Sequence, residues 1–270
     1  MKARVALPAG SAIVRKVDAD TAYWRRVERI RASFYRPTRD RVRKQFERES
    51  TAVSDALRES QDPYRALDSQ RDGWERLLTA TYLAVGSEVA KFKAEMFGLR
   101  SRSVRATSFD DLFAAWMREH MGAKISGIDD TTRDSIRKAL EDGLALGEDM
   151  YQLADRIEAL YLEDIIPHRS MLIAQNEVMT ANNVASFLST KALADEHGLE
   201  VTKTWITARD GRVRDGPDAD HVAMDGVTVP LDEPFVVDGF EMMFPRDDSR
   251  GAPRREILNC RCIIRERIVE

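Results

Sequence analysis

Residues 198–229, GLEVTKTWITARDGRVRDGPDADHVAMDGVTV, contain the change of pattern that decides the fold. Before Gly198, apolar residues recur at the three- and four-residue spacing of amphipathic helices. After it, Val201–Ile206 alternates as a strand does, and turn-forming pairs such as Asp210-Gly211 and Asp225-Gly226 follow at short intervals. We therefore predict an α+β protein, with an elongated, mainly helical region followed by a small β-rich C-terminal module.

Proline, glycine and capping residues are expected to divide the helical region. Residues 1–20 are predicted to be loosely structured, and residues 97–108 to form a loop. The first expected helix begins at Asp20 and breaks at Pro37, and three more span Arg39–Glu59, Asp68–Glu95 and Phe109–Met121. Two further helices start at Asp130 or Thr131 and at Asp149, and the last runs from Pro167 to Glu196. The corresponding domains are a helical docking region over residues 1–125, a helical lead-in over 126–198 and the β-rich module over 199–270.

The composition is that of a globular, membrane-free chain. Of its 270 residues 43% are hydrophobic, 33% are charged and only 7% are aromatic. No apolar run approaches the ~18 residues of a membrane span, and the N-terminus lacks a signal-peptide layout. We expect synthesis in the cytosol and no membrane partner.

Positive charge is concentrated near the N-terminus. Residues 1–60 hold fifteen Lys/Arg against eight Asp/Glu, a net charge of +7. Because the whole chain has a net charge of −4, the other 210 residues carry −11. The candidate binding residues are Arg25, Arg26, Arg29, Arg36, Arg39, Arg41, Arg43, Lys44 and Arg48. Such a segment suits DNA or an acidic protein surface, and the alternative is a solvated helix face.

Cys260 and Cys262 are the two cysteines, one residue apart. A disulfide between such close neighbours is strained and closes almost no loop, so we interpret them as thiols or metal ligands. With His221 they form a candidate structural zinc site, to which Asp215, Asp218 or Asp220 would add the fourth ligand. The alternative is two small buried cysteines and a hydrogen-bonded histidine, with no cofactor.

Catalysis is the weaker interpretation of the same residues. A Cys–His hydrolase needs oxyanion donors, and neither a glycine-rich turn nor a helix start follows Cys260. The sequence contains no P-loop, no GxGxxG and no His-Glu-x-x-His. We therefore expect a non-enzyme. The other histidines, near expected helix ends, and the other tryptophans, on apolar stripes, are predicted to be structural: His120, His168, His197, Trp24, Trp74 and Trp116.

The C-terminal motifs, in this order, resemble those of the phage Mu F-like minor head proteins, a family that includes the SPP1 gp7-like chains. They are Trp205-Ile-Thr-Ala-Arg-Asp210, Arg214 with His221, Met224-Asp225-Gly226, and Asn259-Cys-Arg-Cys262. Upstream, Thr131-Thr132-Arg133, Gly147-Glu148, Ala154-Asp155-Arg156-Ile157 and Ala174-Gln-Asn-Glu177 look like the family's helical lead-in, so the resemblance covers about residues 126–270. Gln175-Asn176 replaces the family's Arg-Thr pair, and six residues separate Arg214 from His221 where the family has two.

The resemblance implies a low-copy virion component bound to the portal, acting in head morphogenesis and in genome packaging or ejection. Its partners would be the portal protein, packaged DNA, and the scaffold or major capsid protein, and it would assemble in the host cytoplasm. A gene transfer agent component would look the same. On this basis Glu177 is expected to make an ion pair with Arg209, Arg212 or Arg214, and Trp205 to pin the first strand onto the long helix.

Two other functions stay open at this point. One is an internal DNA-binding protein that leaves the head with the genome. The other is a metal-dependent nuclease or hydrolase built on His221 and the two cysteines. Some related phage chains append an enzymatic module to this domain, and we expect none here because the sequence ends shortly after Cys262.

Overall fold

The computed structural model describes residues 11–98, 106–217 and 219–269. Helices prevail as far as His197 and short strands follow, which confirms the α+β prediction. The chain divides into two compact units. We call Ala32–His197 the helical unit, and Met1–Arg31 together with Gly198–Glu270 the β unit. Part of the predicted 97–108 loop, residues 99–105, lies outside the described residues, as does Asp218.

The first helix, α1, spans Ser11–Arg58 without a break, so the predictions of loose structure over residues 11–20 and of an interruption at Pro37 are wrong. A proline fixes φ at a helical value and removes one hydrogen bond, which kinks a helix more often than it ends one when packing holds both sides. Here Thr38, Val42 and Phe46 are buried directly after Pro37 and hold the following turns. Tertiary packing therefore outweighs the local break signal.

Five further helices complete the helical unit. They are α2 (Pro63–Asp68), α3 (Arg71–Met96), α4 (Ala106–Ala145), α5 (Met150–Leu160) and α6 (Ile166–His197), the last two joined by a π-helical turn at Tyr161–Ile165. The helix α5 begins at its N-cap Asp149 as predicted, and Asp149 forms a capping box with Gln152. Gly198, with φ of 62°, follows the end of α6 as expected.

The predicted boundary between residues 121 and 130 does not exist, because α4 continues through Gly122 and Gly127. Each glycine weakens a helix by roughly 1 kcal/mol. That cost is offset by the burial of Met121, Ile125 and Ile128 along the same stretch. The expected domain boundary at residue 125 therefore falls inside a helix.

The core of the helical unit is built where α3 meets α4 and α6. Trp74, Tyr82 and Phe113 are fully or almost fully buried. A Cβ on Gly86 of α3 would lie 2.7 Å from the Phe113 ring, so this glycine allows the close approach of α4. The close fit makes this position sensitive to added volume.

The β unit has a three-stranded antiparallel sheet in the order β4-β1-β7. Its strands are β1 (Val201–Ile206), β4 (Thr228–Pro230) and β7 (Ile263–Ile268). Two small hairpins pair β2 (Asp215–Gly216) with β3 (Ala219–Asp220) and β5 (Phe235–Val237) with β6 (Phe240–Met242), and α7 is a single turn at Arg254–Ile257. Val201–Ile206 is a strand as predicted.

The first part of α1 belongs to this β unit, which the sequence did not indicate. The Tyr23 hydroxyl donates a hydrogen bond of 3.1 Å to the carbonyl of Ile264 in β7. Arg31, fully buried, donates to the carbonyl of Arg261 at 3.3 Å. The C-terminal strands are therefore completed by a helix that lies more than 200 residues earlier in the chain.

Candidate functional site

The chain brings Arg214 and His221 together in spite of the six residues between them. Asp215 pairs with Asp220 in the β2–β3 ladder, which closes the intervening loop. The backbone N–H groups of His221 and Val222 then donate to the Arg214 carbonyl at 3.0 and 3.1 Å. The insertion relative to the family motif therefore forms a hairpin that leaves these two residues adjacent.

Cys260 and Cys262 lie on the segment between α7 and β7. Both are buried free thiols, exposed by only 2% and 3%. Nδ1 of His221 lies 3.4 Å from Sγ of Cys260 and 3.8 Å from Sγ of Cys262. Arg261, between them, reaches the other way and bonds to Asp210. The three residues that the sequence grouped therefore meet in one buried cluster, which we call the His-Cys-Cys cluster.

The far side of the imidazole is held by a carboxylate that the sequence analysis missed. Nε2 of His221 lies 2.9 Å from Oε2 of Glu256, and both side chains are almost completely buried. The Trp205 ring packs edge-on against the imidazole, with 5.6 Å between ring centroids. Glu256 lies on the single turn of α7, four residues before Cys260. This spacing was the one feature of the sequence that could have linked Glu256 to the cluster.

The three groups of the cluster shift one another's pKa values. Burial raises the pKa of Cys260, but hydrogen bonds from Cys262 and His221 outweigh burial and bring it well below 9.0. The neighbouring Cys260 raises the pKa of Cys262, and burial adds to this. Burial lowers the pKa of His221, yet Cys260 and Glu256 together raise it above 6.5.

A small cavity adjoins the cluster. It measures about 10 Å³, and its walls include Val213, Arg214, His221 and both cysteines. That volume is close to the minimum for one water molecule. An organic substrate does not fit, so the reactive atoms are closed to anything larger than water or an ion.

Asp215 and Asp220, two of the predicted fourth ligands, do not join the cluster. Among the described residues, the group of close ligand atoms consists of His221, Cys260 and Cys262 alone. Asp215 is exposed, and the Asp220 carboxylate accepts from the backbone N–H of Ala223 at 2.9 Å. The Asp220 carboxylate is therefore engaged by a local backbone N–H, and Asp218 is outside the described residues.

The remaining family-motif residues of the β unit hold its loops. Asp225 accepts bonds from Thr207 at 2.9 Å and from the Arg209 guanidinium at 2.8 Å. Gly226 (φ 87°) donates its N–H to the Trp205 carbonyl at 2.8 Å. Asn259, with φ of 59°, bends the chain just before the cysteines. Arg214 donates to the Leu258 carbonyl and so holds the segment that carries them.

Glu177 and Trp205 each contact residues of their own unit. Glu177 accepts a 2.8 Å hydrogen bond from the Tyr82 hydroxyl inside the helical unit. The Trp205 ring packs on His221 and, at 5.3 Å, on Phe235. The arginines proposed for Glu177 have partners within the β unit: Arg209 pairs with Asp225 and Asp20, Arg212 with Asp210, and Arg214 donates to the Leu258 carbonyl.

The helical unit contains a buried carboxylate that sequence reasoning also missed. Glu49 of α1 accepts hydrogen bonds from the Trp74 indole N–H and, at 3.3 Å, from the Tyr161 hydroxyl. Burial raises the pKa of Glu49 from 4.5 to about 7.

Trp74 is fully buried as predicted, whereas Trp24 and Trp116 are half-buried. His120 lies within α4 rather than at a helix end, stacked on Trp116 at 4.5 Å.

The basic residues of α1 lie mainly on its solvent side. Those exposed in the helical unit are Arg36, Arg41, Arg43, Lys44 and Arg48, and those exposed in the β unit are Arg25, Arg26 and Arg29. Arg39 is half-buried and bonds to Asp40 at 2.9 Å. None of the described helices is long and apolar enough to cross a bilayer.

An α+β chain with a long helical part and a small β unit closed around a buried His-Cys-Cys cluster is thus established. The model of the family described as phage Mu protein F like protein matches residues 134–265. The chain belongs to this family, which makes it a phage head morphogenesis protein that assembles with other head proteins. No curated protein and no solved structure matches it.

Proposed function

We propose that this protein is a portal-associated minor head protein that acts by binding, in packaging or ejection of the genome, and not by catalysis. The observation that carries the proposal is the exposed basic surface of α1, between Arg25 and Arg48, in a chain of the Mu F-like family. Its site of action would be the head near the portal, after assembly in the host cytoplasm. The scaffold and the major capsid protein are further candidate partners.

The basic residues of this surface are most closely spaced between Arg36 and Arg48. This stretch holds six basic and two acidic residues. At 100° per residue, Arg41, Lys44 and Arg48 fall within about 60° of one another and are exposed, whereas the buried Val42 and Glu49 lie on the adjacent side of the helix. Because the apolar side is used for the core of the helical unit, the charged side is available to a partner.

The mixed charge of this surface favours a protein partner over DNA. Asp40 bonds to Arg39, and Glu47 lies 3.1 Å from Arg43, so carboxylates are interleaved with the arginines. Carboxylates on a DNA-binding face repel phosphates and reduce the number of counterions released on binding. A protein surface tolerates both signs, and arginine is suited to its hydrogen-bonded ion pairs.

Burial of the one cysteine–histidine pair supports a binding role. Cys260 and His221 have the contact that a nucleophile and base need, but they are buried beside a cavity of about 10 Å³. An acyl or phosphoryl substrate needs a pocket of hundreds of Å³. We therefore propose that the cluster stabilises the β unit.

The test is retention of the purified full-length chain by its cognate portal protein. The variant Arg41→Glu/Lys44→Glu/Arg48→Glu reverses the charge of the exposed side of α1. A matched control, Arg76→Glu/Lys91→Glu/Arg118→Glu, makes the same change in net charge at exposed positions of α3 and α4. Deleting residues 1–60 is not suitable, because it removes Tyr23 and Arg31 from the β unit.

We expect the wild type and the control to bind the portal and the α1 variant to lose at least 10-fold in affinity, as disruption of a charged interface centre does. Equal binding by all three proteins contradicts docking through α1. The same proteins are then assayed on double-stranded DNA over a range of salt. Steeply salt-dependent binding lost only in the α1 variant, without portal binding, would establish the internal DNA-binding protein instead.

A further inference from the structure

We propose that His221, Cys260 and Cys262 bind one zinc ion in the β unit, through Nδ1 of the histidine and both sulfurs, with water as the fourth ligand. The site is independent of portal docking. It belongs to the fold of the β unit rather than to a reaction. The proposal is carried by the arrangement of the three ligand atoms, the carboxylate behind the histidine and the cavity in front of it.

The three ligand atoms have the spacing of one face of a tetrahedron. Zinc bonds of about 2.3 Å to sulfur and about 2.0–2.1 Å to nitrogen place neighbouring S and N ligands about 3.6 Å apart. The structure has 3.4 and 3.8 Å between Nδ1 of His221 and the two sulfurs. All three ligand atoms lie within 4.8 Å of one another. An ion therefore fits at their common centre with small movements of side chains.

The histidine is oriented as a zinc ligand is. Histidines that bind zinc through one ring nitrogen usually donate the other N–H to a carboxylate, which fixes the tautomer and increases the basicity of the ligand. Nε2 of His221 lies 2.9 Å from the buried carboxylate of Glu256, so Nδ1 is left to face the sulfurs.

The composition of the ligand set selects the ion. Thiolate and imidazole together favour zinc over magnesium or calcium, which prefer oxygen ligands. Among the described residues no carboxylate completes the set. The cavity of about 10 Å³ beside the three residues has room for one water molecule. Three protein ligands and one water give the four-coordinate geometry that zinc prefers.

The position of the site explains what the ion would do. The β unit contains strands of two or three residues, which supply few ladder hydrogen bonds. The cluster joins the loop after β3 to the segment before β7, and these are 39 residues apart in sequence. A metal that links such segments contributes directly to folding in a small module.

The experiment uses the full-length chain expressed with added zinc and purified without chelator. Elemental analysis should find about one zinc per chain. Replacement by Co²⁺ should give the intense ligand-field bands of a tetrahedral site and a sulfur-to-cobalt charge-transfer band in the near ultraviolet. Cys260→Ser and Cys262→Ser should each abolish the charge-transfer band or weaken it severalfold. His168→Gln, an exposed histidine of the helical unit, is the matched control and should retain it.

A second measurement guards against variants that fail to fold. The wild type is treated with a zinc-specific chelator, and the reaction of its two thiols with a disulfide reagent is followed. We expect protection before chelation and rapid modification afterwards, with re-protection when zinc alone is returned. Less than about one tenth of a zinc per chain after zinc loading, with no cobalt–sulfur band, overturns the proposal. Neither result depends on portal binding, so the two proposals fail separately.

Discussion

Arg267 in β7 places a guanidinium nitrogen 2.9 Å from Oδ1 of Asp20 in α1, although 247 positions separate the two residues. Arg265 bonds to the same oxygen, and Arg209 lies 3.8 Å from the other. Asp20 is almost completely buried, with 4% of its side chain exposed. The N-terminal helix is therefore fastened to the C-terminal strand by a buried carboxylate shared among three arginines.

Replacing this carboxylate should destabilise the β unit. In Asp20→Asn the three arginines keep their positive charges but lose the negative partner, and removing one partner of a buried ion pair is costly. We expect a loss of about 2 kcal/mol in the free energy of unfolding, since the arginines are partly solvated. Hydrogen exchange of the β1 and β7 amides measures it. Asp40→Asn, at an exposed position of the same helix, is the control, and equal effects of the two variants would refute the role of Asp20.

Glu49 should make the stability of the helical unit fall as pH rises. Its pKa is raised from 4.5 to about 7, so the folded state holds a proton that the unfolded state has released between these values. The stabilisation is complete below pH 4.5 and is lost as pH rises through about 7, a change of about 3 kcal/mol.

Glu49→Gln tests this dependence, because it stays neutral and keeps an acceptor for Trp74. Urea unfolding followed by the helical circular dichroism signal, from pH 5 to 8, should show a decline in the wild type that is absent in the variant. Parallel pH profiles would rule out Glu49 as the source. Glu47→Gln, two residues away and exposed, should behave as the wild type.

Gly86→Ala should overpack the contact between α3 and α4. The new methyl group would lie 2.7 Å from the Phe113 ring, which is fully enclosed. We expect a destabilisation of about 1–3 kcal/mol, in spite of the better helix propensity of alanine. At Gly122 of α4 no atom of the described residues lies within 4 Å of an added Cβ, so the same substitution there should stabilise by up to about 1 kcal/mol. A gain at both positions would show that α3 and α4 do not approach this closely.

Glu256→Gln should weaken the proposed zinc site without removing a ligand. The amide oxygen is a weaker acceptor for Nε2–H of His221 than the carboxylate, and loss of such a partner lowers metal affinity about 10- to 100-fold. Competition with a chromogenic chelator measures the affinity. Glu241→Gln, whose carboxylate bonds to Arg250 on the surface, should leave it unchanged. Unaltered zinc affinity in Glu256→Gln would mean that the carboxylate does not support a metal ligand.

The features that sequence could predict are those encoded by neighbouring residues. Alternation predicted β1, and a capping aspartate, Asp149, predicted the start of α5. The grouping of His221 with the two cysteines followed from their chemistry, before any fold was available. Each of these signals is contained within a few residues or within the small set of metal-binding side chains.

The features that sequence could not predict depend on contacts between distant segments. Pro37 and Gly122 carry local break signals, but packing on other helices overrides them. Asp20 and Glu49 look like ordinary helix-surface acids until their partners, Arg267 and Trp74, are known. Glu256 lies on a single helical turn without a capping motif. In the sequence, only its spacing from Cys260 could have linked it to His221.

The central claim, a head protein located by the portal, is tested most directly by the composition of assembled heads. Heads are purified from cells that make all head proteins and from cells that lack only the portal protein, and this chain is quantified by mass spectrometry in each. The account predicts that the chain is present in portal-containing heads, is reduced at least 10-fold in portal-less heads, and is lost from both when α1 carries the Arg41→Glu/Lys44→Glu/Arg48→Glu change. Equal amounts in the two kinds of head, or retention of the α1 variant, would contradict it.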